Sequence, residues 1–383
     1  MSAVLDKSHL GFLSSGFATL IVVAFIDNVR GPILPVLCQS LQIPYEIAGL
    51  FLTVGCVTAV LATWLLGIAL RHWGERELTV AICLISTLPG WFAPQVASAH
   101  ELLGLGVLLG SAIALLGSIC SILTIIGSPQ EARGRYVAFQ HVMYGLGSMA
   151  APLLFAALFE AQKPWWWLLR ATSWMLLGLA AYCAKVLPKG RKPERQATPH
   201  PLPHLRIMGP KLLMFASYVA GEVLVSMWMT SLLVSEQHKT PAEASQYLSL
   251  FFIILALSRF SCFLFVRQSW EKPVLLASLA LAIISSILGQ QGYSWALPAI
   301  GLLGPFYPLS MARVSLQFPA TWKQMTLIIY ATIQSTLALM HMTVGNLADH
   351  FSMKIAFLLP PFFLGLAWVI LSRELSTRSQ RTV

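Results

Sequence analysis

The residues best suited to chemistry are two charges inside an apolar run, Asp27 and Arg30, in the stretch Phe25-Ile26-Asp27-Asn28-Val29-Arg30-Gly31-Pro32. A charged side chain at membrane depth costs about 2.5–3.5 kcal/mol on insertion scales, so it faces a protein interior or a wet cavity. A carboxylic acid partly desolvated in such a cavity can load and release a proton near neutral pH. Asp27 is therefore a candidate for proton or cation coupling, with Asn28 and Arg30 beside it as candidate substrate contacts. Arg30 stands three residues on and is also placed to form a structural pair with Asp27. In that case Arg30 holds Asp27 ionised, and the site binds a substrate cation or exchanges partners.

A second acid, Glu222, lies in another apolar run, and the Tyr218-Glu222-Ser226 spacing puts three polar groups on one helix face with Trp228 close by. The alternative for Glu222 is a buried carboxylate satisfied by a neighbouring helix. Two polar stripes have helical spacing: Tyr136, Gln140, Tyr144 and Ser148, and Tyr330, Gln334 and His341. They are suited to hydrogen-bonding a polar solute or to holding helices together. His141 and His341 are of a type that titrates near neutrality, and also of a type that donates in packing. Tyr307 stands between Pro305 and Pro308, where a proline-broken helix would line a cavity.

These residues have to be positioned by membrane helices. Of 383 residues, 57% are hydrophobic and only 10% charged, against about 25% charged in an average soluble domain. Apolar runs fall at 11–37, 47–70, 78–97, 101–127, 136–159 and 164–187, and again at 212–235, 245–266, 273–290, 294–316, 325–348 and 354–372. Each is long enough to cross about 30 Å of hydrocarbon as a helix, and barrel-type alternation is absent. The expected fold is an all-α membrane protein of 12 transmembrane helices, with an N-terminal half over 1–187, a basic, proline-rich cytoplasmic linker over 188–211, and a C-terminal half over 212–383. The first run is too long for a signal-peptide core and is expected to stay as the first span.

The net charge of +10 reads as orientation rather than nucleic-acid binding, because the basic residues sit in short loops. With both termini cytoplasmic, the inner loops hold 18 of the 25 Lys and Arg and the outer loops only Lys163, Lys239 and Lys354. Arg259 in span 8 and Arg313 at the end of span 10 lie toward the inner face, where gating or snorkelling is expected of them. The six cysteines are scattered without C-x-x-C spacing, so neither a zinc site nor a disulfide framework is supported. No phosphate-binding G-x-x-x-x-G-K-[ST] occurs, which excludes ATP as the driving force. No cofactor, no metal and no catalytic His/Cys/Glu cluster is expected.

The two halves repeat each other. Pro44-Tyr45-Glu46 recurs as Pro241-Ala242-Glu243 at an offset of 197, Trp73 matches Trp270 at 197, and Asp27 matches Glu222 at 195. Gly110 matches Gly304 at 194, and Tyr136-Val137-Ala138-Phe139-Gln140 matches Tyr330-Ala331-Thr332-Ile333-Gln334 at the same offset. Two six-helix halves in parallel orientation place a substrate site at their interface near mid-membrane.

The loop motifs carry a family resemblance. Gly67-Ile68-Ala69-Leu70-Arg71-His72-Trp73-Gly74-Glu75-Arg76 is similar to the G-x-L-A-D-R-x-G-R-R of the major facilitator superfamily, with Arg71 in the place of its acid. Glu131-Ala132-Arg133-Gly134-Arg135 resembles its E-x-R-G-R, and a second run, Gly345-Asn346-Leu347-Ala348-Asp349, falls at the outer end of span 11. Asp27 followed by Gly31-Pro32-Ile33-Leu34-Pro35, with Gly301 to Pro308, resembles the fucose–proton symporter group, while Gly147-Ser148-Met149-Ala150-Ala151-Pro152 is a degenerate form of an antiporter element. The resemblance implies gating roles for Arg71, Arg76, Glu131, Arg133 and Arg135, to which Arg259 is added by position.

Together these readings lead to an expected monomeric secondary transporter in an inner membrane. It would move a small polar organic solute coupled to protons or another cation, with Asp27 and Glu222 as coupling groups. Its substrate contacts would come from Asn28, Arg30, Gln140, Tyr144, Tyr218, Ser226, Trp228, Tyr307, Gln334 and His341. The alternatives are a proton-driven exporter of amphipathic compounds or metallophores, and a non-transporting membrane sensor or scaffold.

Overall fold

Lipid offers a backbone no hydrogen-bonding partner, so an apolar chain must satisfy its N–H and C=O groups within its own helices. The computed structural model describes residues 7–129, 133–189, 205–265, 270–318 and 321–379, and every regular element among them is helical. We number the helices α1 (Lys7–Leu41), α2 (Tyr45–Ala69), α3 (Glu75–Gln95), α4 (Ala99–Gly127), α5 (Arg133–Glu160) and α6 (Trp167–Val186). The second set is α7 (Leu205–Glu236), α8 (Pro241–Phe265), α9 (Glu271–Gln290), α10 (a 3-10 stretch Ser294–Leu303, then Phe306–Gln317), α11 (Trp322–His350) and α12 (Met353–Ala356 and Leu359–Ser379).

Ten of them are long and apolar enough to cross a membrane, and α6 and α10 complete the twelve. Charge and breakage explain why these two stand apart. Helix α6 carries Arg170, whose guanidinium lies 4.9 Å from the Trp91 ring and 5.3 Å from the Trp166 ring and donates from Nε to the Gly90 carbonyl at 3.3 Å. Aromatic faces and a carbonyl thus satisfy a charge that hydropathy alone penalises. Helix α10 breaks at Gly304-Pro305 and resumes at Phe306, as proline without an N–H requires. Twelve crossings put the start of α1 and the end of α12 at one end of the bundle; the opposite end is called distal below.

The predicted linker differs at its far boundary. Residues 190–204 lie outside the described residues, but α7 begins at Leu205, before the expected span start at 212. Lys211, expected in the linker, is buried in that helix at 7% exposure with its ammonium 5.9 Å over the Phe318 ring.

In the first set, α4 packs on α1 and α2, α1 on α5 and α6, and α3 on α6. In the second, α10 packs on α8 and α9, and α12 on α7 and α9. The sets meet through α2 against α11, α5 against α8, and α1 against α7. Glycine sets how near helices come: a Cβ on Gly110 would lie 2.1 Å from the Gly55 carbonyl oxygen, so α4 and α2 touch backbone to backbone there. The six cysteines are free thiols, five of them buried and Cys38 half-buried.

Helix α1 is interrupted where its charges sit. The regular pattern is broken at the Asn28 carbonyl, whose donor one turn on would be Pro32, while the Val29 amide still reaches the Phe25 carbonyl at 3.1 Å and the Ile33 amide the Val29 carbonyl at 3.3 Å. Pro32 and Pro35 supply no amide N–H, so the carbonyls one turn before them lose their helical donors. The Thr230 hydroxyl of α7 donates to one of these, the Gly31 carbonyl, at 2.6 Å. A proline in α1 thereby creates a bond to α7.

Candidate functional site

Four helices, α1, α5, α8 and α7, form a ring in which each touches the next. Asp27, Tyr144, Arg259 and Glu222 come one from each. Asp27 lies about 21 Å along the helix from the distal end of α1 and Glu222 about 21 Å from the distal end of α7, at 1.5 Å per residue. The repeat thus delivers both acids to one depth.

On α1 the Asp27 carboxylate is held at both oxygens. The Arg30 guanidinium donates to Oδ1 and, through Nε, to the Asp27 backbone carbonyl at 3.1 Å. The Tyr144 hydroxyl of α5 donates to Oδ2 at 2.9 Å. Asn28 supports this tyrosine: its Nδ2 donates to the Tyr144 oxygen at 3.2 Å, to Ser148 Oγ at 2.9 Å and to the Ala24 carbonyl at 2.8 Å. The Asp27 side chain keeps 21% of its surface open and Arg30 12%, so the pair is enclosed without being sealed.

On the other side, Arg259 of α8 donates to Glu222 Oε1 at 2.8 Å, with 14% and 16% of the two side chains exposed. The Arg259 Nε is buried with no hydrogen-bond partner. Tyr218, one turn before Glu222, is fully buried, stacks on Phe306 at 4.3 Å and 14°, and donates to the Leu303 carbonyl at 3.4 Å. Tyr307 packs edge-on against Phe215 at 5.8 Å, just past the break in α10.

Arg259, expected toward the inner face in gating or snorkelling, is Glu222's partner, which is the neighbouring-helix alternative for that acid. Its Cα lies about 27 Å from the distal end of α8, one turn deeper than Glu222, and the long guanidinium arm spans that turn. Arg313 likewise bonds Glu271 at 3.0 Å, joining α10 to α9. Ser226 is buried with its hydroxyl turned back on the Val223 carbonyl at 3.0 Å. Trp228 is buried and its Nε1 donates to His341 Nδ1 at 3.1 Å, which places the histidine proton on Nε2.

Gln140 is buried against α4, donating to Cys120 Sγ at 3.4 Å, and Gln334 donates to Tyr330 at 3.3 Å. Neither contact reaches an ion pair. Arg71 is exposed, while Arg76 donates from Nε to the Ala184 carbonyl at 2.9 Å near the end of α6. Glu131 and the side chains of Arg133, Arg135 and His141 lie outside the described residues. Two participants were not singled out from the sequence, Thr230 and Asp349. Asp349 of α11 accepts from the Tyr45 amide at 2.9 Å and from the Glu46 amide at 2.6 Å. The signal for Thr230 is Pro35; that for Asp349 is an N-terminus of α2 without a Ser or Thr cap.

Comparison with known proteins agrees with this architecture. The family model of the Major Facilitator Superfamily matches residues 16–289. No curated protein matches the chain in sequence. Among solved structures, the D-xylose–proton symporter superposes with a TM-score of 0.76 at 13% identity, over 95% of this chain and 97% of that one. The nucleoside transporter NupG gives 0.73 at 13% identity over 94% and 99%, and the human organic anion transporter MFSD10 gives 0.69 at 13% over 95% and 99%. At such identities the likeness is one of fold.

Proposed function

The chain belongs to the major facilitator superfamily, and from that premise we propose that it carries a small polar organic solute across an inner membrane in step with protons, with Asp27 as the group that loads the proton and Glu222 as the paired acid that braces the other half. It is a multi-pass transporter of this fold and not an enzyme, and coupling to protons asks for a charge that changes partners inside the bundle. The observation that carries the reading is the Asp27 carboxylate, held by Arg30 on one oxygen and by Tyr144 on the other at the half–half interface.

While ionised, Asp27 occupies Arg30. Protonation removes the charge that holds the guanidinium, which then turns to an acceptor on the solute. Loading a proton and gripping the solute become one event, because Arg30 has one best partner at a time. The ring of α1, α5, α8 and α7 supplies polar groups for a hydroxylated solute, Asn28 and Tyr144 among them, and α10 adds Tyr307. The fold neighbours named for D-xylose and for nucleosides fit a solute of that kind. One charge moved through 100 mV is worth about 2.3 kcal/mol, enough for roughly a 50-fold gradient. By the loop charge bias, both termini and the linker face the cytoplasm and the distal end faces outward.

The test begins with the purified protein. A thermal-shift screen against sugars, nucleosides and amino acids identifies the solute class, since selective binding to the folded state raises its apparent stability. Proteoliposomes then report whether adding that solute moves protons across the membrane in the same direction. Accumulation that survives a protonophore would overturn proton coupling.

A further inference from the structure

We propose that Asp349 is a helix cap lent by one half of the protein to the other, and that this borrowed cap holds the distal gate closed. The first turn of any helix presents amides with no partner in the helix itself. In α2 two of them, Tyr45 N and Glu46 N, donate to Asp349 Oδ1 and Oδ2 at 2.9 and 2.6 Å. Helix α2 has no cap of its own: its N-cap residue is Pro44, which makes no side-chain bond.

The repeat shows what α2 lacks. Its counterpart α8 closes its start with a reciprocal box: the Glu243 amide donates to Thr240 Oγ1 at 3.2 Å, and the Thr240 amide donates to Glu243 Oε2 at 2.9 Å. At the offset of 197, Glu243 corresponds to Glu46 and Thr240 to Ile43. Helix α2 keeps the glutamate and lacks the threonine. The amide that Thr240 satisfies in α8 is the one that Asp349 Oδ2 satisfies in α2.

Charge sharpens the assignment. Asp349 sits in the last turn of α11, where a carboxylate opposes its own helix dipole, and it points at the start of α2, where a carboxylate is favoured. The seam is built for contact: a Cβ on Gly345 would lie 2.5 Å from the Tyr45 carbonyl oxygen, and one on Gly49 would lie 2.4 Å from the His341 carbonyl oxygen. Alternating access rocks one half against the other, so opening the distal end pulls Asp349 off α2 and returns both amides to water. The cap is present in one state only, and its free energy biases the state equilibrium. The inference holds whatever the solute and the coupling ion.

The full-length protein carrying spin labels at Ala161 and Gln291, exposed residues of distal loops in the two halves, reports the open-to-closed ratio as a distance distribution. Loss of a side-chain cap shifts an equilibrium by roughly 2- to 30-fold. Asp349→Ala should therefore raise the distal-open to distal-closed ratio roughly tenfold, and Asp349→Asn by less in the same direction. Ile43→Thr offers the Glu46 amide a hydroxyl acceptor next to α2 in both states, while the residue-43 amide keeps its bond to the Cys38 carbonyl. On that background Asp349→Ala should move the ratio by no more than about twofold. Unchanged distances in both Asp349 variants would overturn the proposal, and so would an undiminished shift on the Ile43→Thr background, which would assign the effect to the seam.

Discussion

The repeat puts an acid at the same depth in each half, and the two acids solve the problem of burial differently. Asp27 has its arginine one turn away on the same helix, so no movement of one helix against another can part them. Only a change of charge or a competing ligand can. Glu222 has its arginine on the next helix, so that pair ties α7 to α8 and is exposed to every relative displacement of those two. A partner on the same helix makes a chemical switch; a partner on a neighbouring helix makes a strut. The tyrosines follow suit, with Tyr144 bound to the Asp27 carboxylate and Tyr218 clamped under Phe306.

The comparison breaks most visibly at the strut. Arg259→Ala leaves Glu222 buried with its cation removed, and should cost about 3–5 kcal/mol of stability in thermal or denaturant unfolding of the detergent-solubilised protein. Replacing both, as Glu222→Gln with Arg259→Met, should recover most of that loss. A loss below about 1 kcal/mol for Arg259→Ala would be the value of a solvated surface pair and would remove the distinction. Between the two acids, Thr230→Val strips the donor from the Gly31 carbonyl and should cost about 1–3 kcal/mol in the same assay. Thr230→Ser, which keeps the hydroxyl, should restore most of it.

Arg30→Ala should cost less than Arg259→Ala, about 1–2 kcal/mol, because Asp27 retains the Tyr144 hydroxyl and an opening to solvent. If the two arginine variants are equally destabilised, the switch and the strut are one kind of site. The smallest effect belongs to Tyr144→Phe, about 1 kcal/mol. Its deletion removes a donor to the Asp27 carboxylate and should show more clearly in the rate of uptake than in the melting curve.

How much of this was legible in the sequence follows from which forces act locally. The helices were readable because lipid excludes other backbone arrangements, and the break in α10 because prolines and glycines announce themselves. The shared depth of Asp27 and Glu222 was readable from the offset between the halves. The Arg259 partnership was not, because it depends on a side chain reaching back one turn across two helices. The early start of α7 was hidden by Lys211, a charge that hydropathy assigns to water and that the Phe318 ring accommodates. Asp349 was visible as part of a glycine-led run, yet its role appears only when the uncapped start of α2 is set beside the boxed start of α8.

Uphill transport in proteoliposomes is the most direct test of the switch. With the solute found by thermal shift, Asp27→Asn should lose accumulation driven by a proton gradient while solute exchange at equal concentrations continues. Glu222→Gln should keep proton-driven accumulation better than Asp27→Asn does, in proportion to the folded protein recovered. Accumulation by Asp27→Asn at the rate and extent of the unmodified protein would contradict the account.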